Sequence, residues 1–215
     1  MKSALIVVDI QNDFLPGGAL AVSEGDLTVS VANQCMPHCD FVVATQDWHP
    51  ADHLSFASQH SECRPGQLIE LAGLQQVLWP DHCVQGSKGA AFAPGLDISR
   101  LSAVFPKGTR REVDSYSGFF DNGRRHATGL SEWLRARGVG RVAVLGLATD
   151  YCVKFTAADA LSEGFATELI LSGCRGVNLT PVDSERALHE LRAAGALLHE
   201  SLQDWVRARG GGRSF

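Results

Sequence analysis

The chain has 215 residues, 45% of them hydrophobic, with 22 glycines and 8 prolines. This length allows one α/β domain with a large core and is too short for two domains of ordinary size. The formal charge is -5 and the pI is about 5.9, with no long run of Lys or Arg, which argues against a nucleic-acid partner.

The first residues do not have the pattern of a targeting segment. One Lys precedes an apolar run that Asp9 interrupts, which is too short for a signal peptide, and no small-residue cleavage site follows. No other stretch approaches the length of a membrane span. We therefore expect a cytoplasmic protein without a membrane partner. The six cysteines should then stay reduced, so their even number does not indicate disulfides.

Apolar runs rich in β-branched residues recur along the chain and predict the strands of a sheet. Continuous apolar runs are typical of strands that are buried on both faces. Segments with helical spacing separate most of them. The pattern predicts one doubly wound α/β domain, with about six parallel strands in the order 3-2-1-4-5-6 and helices on both faces. The runs cover residues 4–8, 41–46, 103–106, 141–147, 166–171 and 196–199.

Two segments depart from this alternation. Residues 47 to 100 are rich in His, Pro, Gly, Trp and Ser and have little periodicity, and a connection of that length is usually a functional loop. Residues 209–215 read Arg-Gly-Gly-Gly-Arg-Ser-Phe, the composition of a flexible tail. The folded domain is therefore expected to span residues 1–208.

Residues suited to nucleophilic chemistry follow three of the predicted strands. Asp9 follows the first strand, Lys107 the third, and Cys152 the fourth. The carboxyl ends of parallel strands meet at one edge, and strands one and four are neighbours in the predicted order, so Asp9 should lie beside Cys152. Lys107 is long enough to bring an ammonium to the same place, where it favours both carboxylate and thiolate.

The position of Cys152 within its turn also favours reactivity. Thr149 is predicted as the N-cap of a helix that runs to about Gly164, which places Cys152 in the first helical turn. A helix N-terminus lowers the pKa of a thiol and offers free backbone N–H groups that could form an oxyanion hole.

Each of these residues also has a simpler interpretation. Cys152 taken alone is a small apolar core residue, Asp9 a helix cap or loop hydrogen-bond partner, and Lys107 a solvated surface charge. Their shared placement at strand ends favours a Cys-Asp-Lys set in which Asp9 is the base.

Histidines and a carboxylate in the long loop predict a metal site. Asp47 and His49 stand two residues apart at a strand end, where both side chains point the same way and can chelate one ion. His82 could supply a third ligand, and His53 could join or only hydrogen-bond from outside. One carboxylate with two imidazoles suits one divalent transition ion, so Zn, Fe and Mn all fit. The alternative is a polar surface loop.

Other aromatic, thiol and imidazole side chains have weaker patterns. Phe14, Trp48, Trp79 and Tyr116 are most simply packing residues, although aromatic side chains over a site could also form a planar slot. The pair of Cys35 and Cys39 around His38 has near-metal spacing, but no second pair accompanies it. His60 and Cys83 are expected to be loop and core residues.

Six segments form motifs that can be compared with known families: 7–14, 45–50, 79–86, 107–108, 114–119 and 146–153. On these segments, and over nearly its whole length, the chain resembles the nicotinamidases, also called pyrazinamidases, of the isochorismatase-like cysteine hydrolases. Isochorismatases share the expected fold but lack the nucleophilic cysteine, and carbamoylsarcosine-type amidases keep the triad without the Asp-His-His ion site. This sequence has both the cysteine and the ion-site residues.

The resemblance implies roles for individual residues. It gives Asp9, Lys107 and Cys152 as the catalytic triad. It gives Asp47, His49 and His82 as ion ligands, with His53 as a variable extra ligand. It also implies a cis peptide between Leu147 and Ala148, which aims the amides of Ala148 and Cys152 at the substrate oxygen. Phe14, Trp79 and Tyr116 match the positions that line the ring pocket.

The implied activity is the hydrolysis of nicotinamide, and of pyrazinamide, to the carboxylic acid and ammonia through a Cys thioester, in NAD salvage. A monomer or a homodimer is expected. Two other interpretations remain open at this point. One is a metal hydrolase whose ion activates water, with Cys152 as a packing residue. The other is a catalytically silent protein that senses a pyridine metabolite.

Overall fold

The structure is a computed structural model that describes residues 1–210, and its centre is a six-stranded parallel sheet. In chain order its elements are β1 (Lys2–Val8), α1 (Leu27–Cys35), β2 (Phe41–Asp47), β3 (Leu68–Leu71), β4 (Leu74–Val77), β5 (Ala103–Lys107), α2 (Leu130–Ala136), β6 (Val139–Leu147), α3 (Lys154–Ser162), β7 (Ala166–Arg175), α4 (Asp183–Ala193), β8 (Leu197–His199) and α5 (Leu202–Gly210).

The strand order confirms the predicted topology. The sheet runs β5-β2-β1-β6-β7-β8, and each neighbouring pair is parallel. Counted within this sheet alone, that order is 3-2-1-4-5-6. It places β1 and β6 side by side at the point where the order reverses, which is where open α/β sheets bind their ligands.

Burial of β1 explains why its sequence reads as a continuous apolar run. Every residue from Ala4 to Val8 is fully buried, and successive side chains of a strand point to opposite faces, so both faces of the sheet are covered. Helices α1 and α5 contact each other and β7, while α3 packs on α4. Trp205 of α5 is the largest fully buried side chain.

A small antiparallel hairpin inside the long loop was not predicted. Strands β3 and β4 pair antiparallel, with Leu71 opposite Leu74. The two residues between them, Ala72 and Gly73, have φ values of 52° and 80°, as tight hairpin turns require. Ala is an unusual residue at such a position and most of the hairpin side chains are not buried, so the sequence carries only a weak signal.

The carboxyl-terminal helix extends slightly beyond the predicted domain boundary. Arg209 and Gly210 belong to α5, and Arg209 donates a hydrogen bond to the carbonyl of His38 at 3.0 Å. The rest of the predicted tail, residues 211–215, lies outside the described residues. Within residues 1–210, no helix combines the length and apolar character that crossing a bilayer demands.

Candidate active site

Residues at the ends of four adjacent strands meet around the ammonium of Lys107. Its Nζ lies 2.8 Å from Asp9 Oδ2, 2.5 Å from Asp47 Oδ1 and 3.3 Å from Cys152 Sγ, and it donates to the carbonyl of Ser115 at 3.0 Å. Lys107 is only 1% exposed, so the alternative of a solvated surface charge does not apply. The sheet order brings together residues that are as far apart in the sequence as Asp9 and Cys152.

Asp9 is fully buried beside the thiol. Its Oδ1 accepts a hydrogen bond from Thr45 Oγ1 at 2.6 Å, and single ligand atoms of Asp9, Asp47 and Cys152 lie within 4.8 Å of one another. Burial raises the pKa of Asp9 most strongly, and the nearby charge of Asp47 adds to this, while Lys107 opposes it. A carboxyl group with a raised pKa is a better proton acceptor at neutral pH.

Lys107 and Asp47 stabilise each other's charged forms. Burial disfavours charge on both, but the two carboxylates Asp47 and Asp9 raise the pKa of Lys107 well above 10.5. Burial likewise acts to raise the pKa of Asp47, yet the charges of Lys107 and His49 hold it well below 3.8. The ammonium is therefore a fixed positive charge next to the sulfur.

The turn that carries Cys152 differs from the sequence-based prediction. Residues Thr149–Val153 form one π-helical turn, in which the amide of Val153 donates to the carbonyl of Ala148 at 3.0 Å, and α3 begins only at Lys154. The N-cap position is Ala148, without a side-chain cap, so the prediction of Thr149 as the cap was wrong. The helix also ends at Ser162, before Gly164.

The expected lowering of the thiol pKa is not observed. Burial raises the pKa of Cys152 well above 9.0, the Lys107 ammonium opposes this, and the carboxylates Asp9 and Asp47 add to it. A sulfur enclosed by protein loses the solvation that stabilises a thiolate in water. Burial therefore favours the thiol over the thiolate at Cys152.

Two glycines beside the site lie so close to neighbouring atoms that a side chain would not fit. At Gly146, whose φ is 126°, a Cβ atom would lie 2.1 Å from the carbonyl oxygen of Val8 in the neighbouring strand. At Gly108 it would lie 2.3 Å from Cε1 of His49. The peptide bond between Leu147 and Ala148 is cis, which confirms the expectation drawn from the resemblance.

The predicted ion ligands lie together next to this cluster. Asp47 uses Oδ1 for Lys107, and its Oδ2 is 3.7 Å from Nε2 of His49 and 3.7 Å from Nε2 of His82. Each histidine places its other ring nitrogen, Nδ1, against a backbone carbonyl: His49 at 2.9 Å from Gly108 and His82 at 2.8 Å from Pro80. With Nδ1 engaged in this way, Nε2 is the ring nitrogen that each histidine presents on the side of Asp47.

The spacing of these three atoms fits a divalent ion. Ligand atoms at about 2.0–2.2 Å from a tetrahedral centre are about 3.3–3.6 Å apart, close to the separations seen here. All three residues are at most 4% exposed, so the donors are shielded from bulk water. The alternative of a polar surface loop therefore does not describe Asp47, His49 and His82.

His53 lies beside the ion ligands but has protein partners of its own. Its ring centroid is 4.5 Å from that of His49. Its Nδ1 is 2.7 Å from Ser55 Oγ, and its Nε2 is 3.4 Å from the carbonyl of Val113. Burial lowers the pKa of His53 below 6.5, so the ring is neutral and remains an expected ligand or hydrogen-bond partner.

A small pocket opens onto the sulfur. The three predicted substrate residues Phe14, Trp79 and Tyr116 all line it, together with Asp47, His82, Ala148 and Cys152. The hydroxyl of Tyr116 accepts hydrogen bonds from Trp79 Nε1 at 3.1 Å and from Gln76 Nε2 at 3.0 Å, which holds the aromatic walls in place.

Other pocket residues were missed in the sequence. They are Leu20, Asp114, Tyr151 and Val177. The rule that reactive residues follow strand ends, applied to β7, would have pointed to the loop that carries Val177. Asp114 and Tyr151 lie in two of the segments on which the resemblance rests, 114–119 and 146–153. No rule of sequence spacing indicates that their side chains face the pocket.

Among the other thiols, Cys83 is buried next to the site in a small cluster with Phe14 and Ala148, whereas Cys35 and Cys174 belong to the main core. Cys35, Cys83 and Cys174 are buried core residues, and His60 Nε2 lies 2.8 Å from the carbonyl of Leu54. Among the described residues, neither Cys35 nor Cys39 belongs to a group of potential metal ligands.

Comparisons with known proteins agree with this geometry. The nicotinamidase of Escherichia coli (strain K12) is 54% identical over 213 residues, covering 96% of this chain and 98% of the relative. A solved nicotinamidase and pyrazinamidase from Acinetobacter baumanii superposes with a TM-score of 0.89 at 43% identity, covering 92% of this chain and 95% of the other. A pyrazinamidase of Pyrococcus horikoshii, solved in complex with zinc, has a TM-score of 0.76 at 37% identity, covering 93% and 99%.

The family assignment follows from a match to almost the whole chain. Residues 3–201 match the model of the isochorismatase domain. The strand order, the strand-end residues and the relatives all agree with that match. This chain belongs to the isochorismatase family.

Proposed function

We propose that this protein is an amide hydrolase that converts nicotinamide to nicotinate and ammonia, and that it also accepts pyrazinamide. The observation that carries the proposal is the buried contact of Lys107 Nζ with Asp9 and Cys152, beside an Asp-His-His set and an aromatic pocket. The similarity to an E. coli nicotinamidase over nearly the full length supports the choice of substrate.

The first step forms a bond from sulfur to the amide carbon. Asp9 accepts the thiol proton of Cys152 as the sulfur adds to the carbonyl carbon of the carboxamide. The raised pKa of Asp9 suits this transfer, and the Lys107 ammonium, 3.3 Å from Sγ, stabilises the thiolate as it forms. This step does not require a thiolate before the substrate binds.

The carbonyl oxygen becomes negatively charged in this step. The backbone amides of Ala148 and Cys152 are the donors that we assign to it, and one such donor contributes about 10²–10³-fold in rate. Collapse of the tetrahedral adduct expels the nitrogen as ammonia, with the proton supplied by Asp9. Water then hydrolyses the thioester, which releases the acid and restores the thiol.

Asp47, His49 and His82 would hold a divalent ion, with His53 as a further partner. When bound, such an ion supplies a Lewis-acid contact for the ring nitrogen of a pyridine substrate. The zinc complex of the P. horikoshii relative supports Zn, and the donor set also accommodates Fe and Mn. The aromatic walls Phe14, Trp79 and Tyr116 hold the ring so that its amide faces Cys152, and such positioning makes the attack effectively unimolecular.

A steady-state deamidation assay on metal-analysed protein tests this proposal. Nicotinamide, isochorismate and a carbamoyl amide are compared as substrates, with ammonia release as the readout for the two amides. We expect turnover of nicotinamide and no comparable turnover of the other two. Tight binding of nicotinamide without turnover by the metal-loaded protein would instead indicate a sensor.

We further propose that the enzyme acts in the cytoplasm in salvage of nicotinamide for NAD, as a monomer or a homodimer. The six free cysteines are compatible with a reducing compartment.

A further inference from the structure

One buried carboxylate beside the ion ligands has no role in the proposed mechanism. Asp114 is 2% exposed and lines the same pocket as Asp47, His82 and Cys152. Its Oδ1 accepts the amide of Ser115 at 2.7 Å, and its Oδ2 accepts Gln76 Nε2 at 3.1 Å. These are neutral donors, so within the described residues neither contact neutralises the charge of Asp114.

Two histidines at the proposed ion site lie close to Asp114. One ligand atom each from His49, His53 and Asp114 lie within 4.8 Å of one another, and all three residues are buried. His49 also belongs to the set with Asp47 and His82. Asp114 therefore lies next to His49, a predicted ion ligand, although the sequence did not predict Asp114 as a ligand.

Buried carboxylates outnumber buried lysines at this end of the sheet. Asp9, Asp47 and Asp114 are buried here, and among the described residues the one buried lysine beside them is Lys107. The neighbouring histidines can balance part of the negative charge by holding a proton. A divalent cation would balance it in their place, and burying unpaired charge is costly.

Another buried carboxylate of the same loop lacks this relation to the site. Asp121 accepts hydrogen bonds from the amides of Gly123 at 3.1 Å and Arg125 at 2.8 Å, and its Oδ2 lies 2.7 Å from Nδ1 of His126. It is absent from the pocket that contains Cys152. Asp121 is therefore a matched control for Asp114.

We propose that Asp114 is a second acidic determinant of the ion site, beside Asp47, and that its charge strengthens the binding of a divalent ion at Asp47, His49 and His82. This inference rests on the metal site of the proposed function. Asp114 acts here through the ion, so it is a positioning residue and not a catalytic one. Loss of a partner outside the ligand set typically weakens metal binding by about 10–100-fold.

The test measures Zn²⁺ affinity directly. Apo protein is prepared with a chelator, and the Zn²⁺ dissociation constant is measured by competition with a chromophoric chelator. Wild type is compared with Asp114→Asn, Asp114→Ser, Asp114→Glu and Asp121→Asn, each checked for folding by circular dichroism. Asn and Ser both remove the charge, so the test survives if one of the two variants does not fold.

We expect both charge-free variants to bind Zn²⁺ about 10–100-fold more weakly. Asp114→Glu should recover most of the affinity, and Asp121→Asn should match wild type within about twofold. Wild-type affinity in Asp114→Asn or Asp114→Ser overturns the inference, even if the KM for nicotinamide rises, because the carboxylate would then serve the substrate. Failure of wild type itself to bind Zn²⁺ or another divalent ion overturns the metal site of the proposed function as well.

Discussion

Two buried acidic clusters occupy opposite ends of the same sheet. Near the amino ends of β6 and β7, Glu168 accepts a hydrogen bond from Trp205 Nε1 at 2.5 Å and lies 3.4 Å from Nε of Arg141, whose side chain is 44% exposed. At the carboxyl ends, Lys107 is fully enclosed between Asp9 and Asp47. Both clusters pair a buried carboxylate with a cation.

The two clusters differ in what else contacts the charges. The partners of Glu168 are an indole, a half-exposed guanidinium and, at 4.0 Å, His199. The ammonium of Lys107 also contacts a thiol that lines a pocket. Burial of charge alone therefore does not mark a reactive site. We propose that the thiol beside Lys107, which faces a cavity, is what makes the carboxyl-end cluster reactive.

The largest expected effect separates two buried thiols. Cys152→Ala should lower kcat/KM for nicotinamide by about 10⁴-fold or more, because it removes the nucleophile. Cys174→Ala removes a thiol that is equally enclosed, on the next strand, and should keep kcat/KM within a few-fold of wild type. Steady-state kinetics of both variants measure this, and similar losses in the two would contradict the assignment.

The next comparison exchanges one carboxylate from each cluster for its amide. Asp9→Asn should lower kcat/KM by about 10²–10⁴-fold through loss of the general base. Glu168→Gln should leave kcat/KM unchanged, since that cluster has no contact with the pocket. Assays of the two purified variants side by side decide the matter, and an active Asp9→Asn enzyme would refute the role of Asp9.

Removal of one ion ligand should lower activity less than the two changes above, and it should do so by weakening metal binding. His82→Ala should weaken Zn²⁺ binding by at least about 100-fold, more than the loss of a partner outside the ligand set, and lower activity with it. The control is His60→Ala, a histidine of the same loop that bonds only a backbone carbonyl in the described residues. Metal competition titration gives both affinities, and equal affinities would argue against His82 as a ligand.

The smallest effect on activity should come from the amino-end cluster. Trp205→Phe removes the N–H donor to Glu168 and keeps most of the buried ring. The free energy of unfolding should fall by about 1–3 kcal/mol, the cost of a buried acceptor without its partner. Urea denaturation measures this, together with an unchanged kcat/KM. Loss of activity without loss of stability would mean that the two ends are coupled.

The sequence predicts the sheet and the main site residues because both depend on local patterns. Continuous apolar runs identify strands buried on both faces, and the reversal of strand order brings Asp9 and Cys152 together. Pairs such as Asp47 and His49 share one direction by the two-residue repeat of a strand. These rules need no knowledge of the other side chains.

Other features of the site depend on contacts between residues that are distant in the sequence, so sequence patterns do not predict them. The pKa of Cys152 is raised chiefly because its thiol is buried, which no spacing of residues reveals. The π-helical turn replaces the expected cap at Thr149, and the direction of Asp114 follows from its bonds to Gln76 and Ser115. Gln76 itself belongs to a hairpin whose residues carry little pattern.

The central claim, that sulfur forms a covalent bond to the substrate, has a direct test. Enzyme turning over nicotinamide is quenched rapidly in acid, and the peptide of residues 142–154 is analysed by mass spectrometry. We predict that this peptide carries one nicotinoyl group on Cys152. An unmodified peptide, together with retained turnover in Cys152→Ser, would contradict the account and favour water activated by the ion.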